Sequence, residues 1–179
     1  MMKLHKKALV ALILVANIVI APVVYAHLMV AQHGTLNVID NHAFIVLSLP
    51  ISAFNNLDDD LNKKVSMDEF NAHKKQISKT IMRGVYLNDH HYKFSLEGLL
   101  LNPEVSHTDT NNIEYITITG RYTVPDISAQ LKLNVRLFSQ NSDLNKYHIT
   151  ATNKQQKMTH QFALTPRTPF STLFEQRRK

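Results

Sequence analysis

The stretch Leu131-Lys132-Leu133-Asn134-Val135-Arg136-Leu137 alternates apolar and polar residues without interruption. Successive side chains of an extended chain point to opposite faces, so this period of two describes a strand. Leu131, Leu133, Val135 and Leu137 form its buried face, and Lys132, Asn134 and Arg136 its wet face. The same period recurs on either side. Downstream it runs through Tyr147, Ile149 and Ala151, then through Met158, His160, Phe162 and Leu164. Upstream it appears at Phe94 and Leu96, and at Ile116 and Ile118 among the β-formers Tyr115, Thr117 and Thr119. Nearer the N-terminus, Leu36 and Val38 lead into Asp40-Asn41, after which Ala43 to Leu49 resumes as a strongly apolar run, the signature of a hairpin turn. The spacing predicts about seven or eight antiparallel strands, hence a mainly β chain: an antiparallel β-sandwich of immunoglobulin-like or Greek-key type with one inserted helix.

The inserted helix is predicted over Ser66 to Val85. Ser66 and Glu69 make an S-x-x-E capping box, and Phe70, Ile77, Ile81 and Val85 recur along one face, with Lys74, Lys75 and Lys79 elsewhere and Gly84 near the end. Directly before it, the twelve residues Asp58 to Glu69 place oxygen donors at positions 1, 3, 5, 7, 9 and 12 of a loop: Asp58, Asp60, Asn62, the Lys64 carbonyl, Ser66 and a bidentate Glu69. Hard oxygen donors at that spacing suit Ca²⁺. Val65, at position 8, is the apolar residue expected to turn inward. The pattern Asp-x-Asp-x-Asn-x-x-Val-Ser-x-x-Glu-Phe resembles the EF-hand calcium-binding family over about a tenth of the chain, and the resemblance implies calcium as the bound ion. Position 6 departs from the family: it is Lys63 where glycine is usual, which requires a positive φ costing about 1 kcal/mol. Lys63 and Lys64 also offset the carboxylates of Asp58, Asp59, Asp60, Asp68 and Glu69. Affinity in the range of about 10⁻⁴–10⁻³ M follows. Only Ile51 to Leu57 stand between the preceding strand and the loop, room for one or two helical turns. With no second loop in the chain, the hand is solitary and suited to stiffening a connection, with no large switch; pairing with the hand of another copy would give a homodimer.

Residues 1 to 26 read as an export signal: Lys3, Lys6 and Lys7 precede the apolar run Ala8 to Val24, and Val24-Tyr25-Ala26 offers a cleavage site. If uncleaved, the run would serve as a membrane anchor. Cleavage leaves residues 27 to 165 as the sandwich, with the hand inserted at 51 to 86, and residues 166 to 179 as a basic solvated tail ending in Arg177-Arg178-Lys179. Net charge falls from +6 to +3 when the segment and its three lysines are removed, too little to argue for a nucleic-acid partner. Cysteine is absent, so an exported chain of this kind depends on its core and fits a periplasm.

Cleavage would make His27 the first residue, and its amine and imidazole could chelate copper, with Met29, His33 and His42 completing the site. That is the alternative cofactor reading. His90-His91 follow Asn88-Asp89 in a polar loop, His107 precedes an exposed turn, and His148 and His160, alternating with apolar residues, are expected inside the sandwich. The four glycines are scattered and neither G-x-S-x-G nor H-E-x-x-H occurs, so no enzymatic site is predicted. The expected function is calcium binding by an exported, periplasmic protein in a structural or protein-contact role, the alternatives being copper binding at His27 and a non-catalytic adaptor whose ion site is silent.

Overall fold

The computed structural model describes residues 32–125, 130–140 and 145–174. Within these, ten strands and one α-helix form two sheets. The order is β1 (His33–Ile39), β2 (His42–Pro50), a 3₁₀ turn (Ile51–Ala53), α1 (Met67–Gly84), β3 (Val85–Asn88), β4 (Lys93–Phe94), β5 (Glu97–Val105), β6 (Ile113–Thr123), β7 (Lys132–Val135), β8 (Tyr147–Asn153), β9 (Met158–Leu164) and β10 (Phe170–Thr172). Six strands lie in the order β5-β6-β2-β1-β8-β9 and four in the order β10-β7-β3-β4. The chain is thus a β-sandwich with one inserted helix, assembled by passing repeatedly from one sheet to the other. Strand number exceeds the expected seven or eight, and one pairing departs from the antiparallel rule: β1 and β8 run parallel, His33 opposite His148 through Val38 opposite Asn153. A period of two specifies which face of a strand is buried; it carries no information about the direction of its neighbour.

Alternation places the core. Leu36 and Val38 of β1, Ala43, Ile45, Leu47 and Leu49 of β2, and Ile116 and Ile118 of β6 are all buried, as are Val85 and Leu87 of β3 and Leu133 and Val135 of β7. Asp40 and Asn41 form the β1–β2 turn, Asp40 taking φ 51, a left-handed conformation that aspartate tolerates better than most residues.

The helix matches its sequence pattern closely. Ser66 is its N-cap, the capping box with Glu69 is complete, and Phe70, Ile77, Ile81 and Gly84 are its buried residues. It passes into β3 without a loop, Val85 taking φ −122 as the C-cap. Gly84 serves here through size, because a Cβ at this position would lie 2.8 Å from Leu137 Cγ. Its carbonyl accepts a hydrogen bond from Arg136 N at 2.9 Å, which ties the end of the helix to the segment following β7.

Three expectations are corrected. Asn134 does not face water: it is buried, and its Nδ2 donates to Asn88 Oδ1 at 2.6 Å, so the polar group is satisfied inside the second sheet. Residues 166 to 179 are not wholly a solvated tail. Phe170–Thr172 pairs antiparallel with β7, and Leu173, 1% exposed, donates from its backbone N to Leu131 O at 2.8 Å. The sandwich therefore extends beyond residue 165; Arg177-Arg178-Lys179 lie outside the described residues, as do residues 1 to 26. Among the described residues no helix is long and apolar enough to cross a membrane. Finally, His148 is exposed, with its ring stacked on His33 at 5.1 Å between centroids, while His160 is half-buried with Nδ1 3.1 Å from Leu173 O.

Candidate metal centre

Between the 3₁₀ turn and α1 the backbone wraps around its own carboxylates. Asp58 Oδ1 accepts Asn62 N at 3.1 Å and Asp58 Oδ2 accepts Lys63 N at 2.8 Å. Asp60 Oδ1 also accepts Asn62 N at 3.1 Å, and Asn62 Oδ1 accepts Lys64 N at 2.8 Å. Short acidic and amide side chains form such turns because their oxygens reach backbone N–H groups two to five residues ahead. The wrap needs left-handed backbone at two places, Leu61 with φ 60 and Lys63 with φ 67. Lys63 thus adopts the conformation that its position 6 demands despite its Cβ. Lys63→Gly is expected to raise stability by about 0.5–1 kcal/mol, a melting temperature higher by a few degrees, as release of left-handed strain exceeds the entropy glycine adds to the unfolded chain. Calorimetric melts of the two proteins without calcium check this; an unchanged or lower melting temperature would contradict it.

The wrap brings three carboxylates together. One oxygen each from Asp58, Asp60 and Glu69 lies within 4.8 Å of the others. Ca²⁺ sits 2.3–2.6 Å from its oxygen ligands, so two of its ligands stand at most roughly 5 Å apart, and the three carboxylate oxygens are close enough together to share one cation of that size. An all-oxygen set disfavours softer metals that prefer nitrogen or sulfur. Asn62 joins the cluster through Nδ2, which donates to Asp60 Oδ2 at 2.8 Å. Ser66 joins it through Glu69, donating from Oγ to Oε2 at 2.8 Å, so its hydroxyl belongs to the helix cap, in keeping with a position that commonly meets the ion through water. Lys64 is paired elsewhere: its ammonium lies 2.7 Å from Asp109 Oδ2, on the β5–β6 turn. This pairing holds the Asp109 carboxyl below the usual range and the Lys64 ammonium above it. The expected offset by two lysines is therefore reduced to Lys63.

Glu69 is held on both oxygens. Oε2 accepts Ser66 N at 2.8 Å, and Oε1 accepts Asp59 N at 2.8 Å. Hydrogen bonds from Ser66 backbone and hydroxyl, then from Asp59, draw its carboxyl down to about 2 from 4.5, because donors stabilise the ionised form. The sign follows from linkage: a depressed folded value gives stability that is complete above the unfolded value near 4.5 and is lost as pH falls through about 2. Calcium-free far-ultraviolet dichroism should therefore show the helix start retained at pH 4.5 and weakened towards pH 2. A Glu69→Gln chain, lacking this titration, should be flatter in that window, and identical profiles would refute the assignment.

Two residues of the site have no place in the loop pattern. His73 Nε2 lies 2.9 and 3.0 Å from the two oxygens of Asp59, tying position 2 of the loop to the second turn of α1. The available signal was its position four residues after Glu69, the spacing of one helix face. Asn112 Oδ1 accepts Val65 N at 3.3 Å, and Ile113 N donates to Val65 O at 2.8 Å. Val65 itself is half-buried and packs on the core as expected. Beside the loop a cleft of about 570 Å³ is lined by Phe54, Leu57 and Ile113 together with the charged Asp58, Lys63 and Glu114, and Leu61, 83% exposed, stands at its edge.

The residues proposed for copper are not gathered. His27 and Met29 lie outside the described residues. His33 begins β1, whereas His42 begins β2 and pairs with Ile39 at the far end of the hairpin; six residues of strand put the two about 20 Å apart, too far to share one ion. His90 and His91 lie in a polar loop whose Asp89 Oδ1 accepts His91 N at 2.7 Å and Tyr92 N at 2.6 Å; the loop joins strands β3 and β4, where the sequence points to a link from helix to strand. The chain matches no protein-family model and no curated protein.

Proposed function

We infer that this chain is an exported, non-catalytic protein that binds one Ca²⁺ through Asp58, Asp60, Asn62, the Lys64 carbonyl, Ser66 and Glu69. The observation that carries the reading is the convergence of three carboxylates within 4.8 Å on a loop whose Lys63 accepts φ 67 to close it. The role is structural. The ion joins a single 3₁₀ turn leaving β2 to the start of α1, and so fixes how the helix rests on the sheets. At calcium ten times the dissociation constant the ion adds about 1.4 kcal/mol to stability, a tightening that needs no rearrangement. The cleft beside the loop, walled by both apolar and charged side chains, together with the exposed Leu61 favours a protein contact as the use made of that rigidity. Isothermal calorimetry with Ca²⁺ tests the reading: one site with a dissociation constant near 10⁻⁴–10⁻³ M is expected, and absence of heat at millimolar calcium would end it. Mass spectrometry of the chain recovered from cells tests export, a mature terminus at His27 being the expected result.

A further inference from the structure

The Lys64 carbonyl and the Val65 N–H belong to one peptide unit, and among the described residues no peptide bond is cis. In a trans peptide the C=O and N–H point to opposite sides. Asn112 Oδ1, by accepting Val65 N at 3.3 Å, therefore turns the Lys64 carbonyl away from the β5–β6 turn. The next peptide is fixed as well: Val65 O accepts Ile113 N, and Ser66 N donates to Glu69 Oε2, each at 2.8 Å. The peptide that carries the position 7 carbonyl and the one after it are thus each held in part from outside the loop, by Asn112 and Ile113, more than 40 positions away in the chain. The same turn supplies Asp109, which holds the Lys64 ammonium at 2.7 Å and so keeps it from lying among the loop's own carboxylates. The turn is itself braced: Ser106 N donates to Asn112 O at 2.7 Å and Asn112 N to Asp109 O at 3.0 Å.

We propose that Asn112 and Asp109 are positioning residues for the cation, Asn112 by aiming the position 7 carbonyl and Asp109 by sequestering the one lysine whose backbone is a ligand. This rests on the calcium reading and adds a consequence: the affinity of the loop is set by its docking on the β5–β6 turn and the start of β6, and because both backbone groups of Val65 are already bonded within the chain, they are not free to pair with a second copy of the loop, so calcium binding is expected without dimerisation.

The test is calcium titration calorimetry on the full-length chain and five variants, with sedimentation to read the oligomeric state. Asn112→Leu removes the acceptor at similar size and should weaken binding about five- to tenfold, the value of one lost hydrogen bond, while Asn112→Asp retains an acceptor oxygen and should bind within about twofold of the unsubstituted chain. Asp109→Asn preserves the turn's Oδ1 but frees Lys64, and should weaken binding a few-fold. The same substitution in a Lys64→Met background, where the backbone ligand remains and the charge is gone, should have no effect; a purely structural role for Asp109 would not produce that dependence. Normal calcium binding with unchanged affinity in Asn112→Leu and Asp109→Asn, or a calcium-dependent dimer, would overturn the inference and leave the calcium reading standing. Absence of binding in the unsubstituted chain would overturn both.

Discussion

Glu69→Gln is expected to lower calcium affinity about 100-fold or more, removing detectable binding at millimolar calcium while leaving the calcium-free fold in place. The effect on binding is large because, on the proposed calcium reading, the residue would offer the ion two carboxylate oxygens and supplies one of the three negative charges drawn together there; an amide offers one neutral oxygen in their place. The effect on the apo protein is small because a glutamine oxygen still accepts from Ser66 or Asp59, so the helix cap is weakened and not abolished. Calorimetry gives the first quantity and a thermal melt in chelator the second. Retention of full calcium affinity would show that Glu69 serves as a capping residue alone. Collapse of the calcium-free fold would show that the loop's own hydrogen bonds depend on that charge.

Local spacing made the loop and helix legible. Six oxygen-donor positions, the capping box and the apolar face Phe70, Ile77, Ile81 and Val85 all lie within 28 consecutive residues, where side-chain geometry follows directly from helical or turn periodicity. Contacts between distant segments carry no such signal. Lys64 reads as a charge opposing the site until Asp109 is found beside it, and Asn112 reads as part of a polar turn until its Oδ1 meets Val65 N. Strand faces were equally legible, but pairing was not. The alternation around Leu131 to Leu137 correctly predicts the buried leucines and valine and fails at Asn134, because an asparagine on the outward face can be buried when Asn88 on the neighbouring strand satisfies it. Phe170–Thr172 is only three residues long and lies between prolines and arginines, too short for a period of two to register. Its status as a strand depends on the open edge of β7.

Phe70→Ala should destabilise the fold by about 3–5 kcal/mol, the loss of a buried aromatic ring together with the cavity it leaves. Phe70 is 2% exposed and follows Glu69 directly, so it is the first residue by which the helix enters the core. That adjacency permits an ordering of effects. Calcium at ten times its dissociation constant contributes about 1.4 kcal/mol, less than half of what the ring contributes. Saturating the Phe70→Ala chain with calcium should therefore leave it less stable than the unsubstituted chain in chelator, with a melting temperature lower by several degrees. The loop's oxygen donors are untouched by the substitution, yet the helix that presents Glu69 loses its nearest anchor, so on the proposed reading the variant's calcium affinity should also fall. Ile81→Ala, three turns further along and 0% exposed, should cost about 2–5 kcal/mol of stability with little change in affinity, since the first turn of α1 keeps its anchor. Melts followed by far-ultraviolet dichroism, with chelator and with calcium, separate these outcomes. If calcium restored Phe70→Ala to the stability of the unsubstituted apo chain, the ion and not the core would be the principal restraint on the helix. Equal losses of calcium affinity in the two variants would mean that the site senses global stability and not the local seating of the first helical turn.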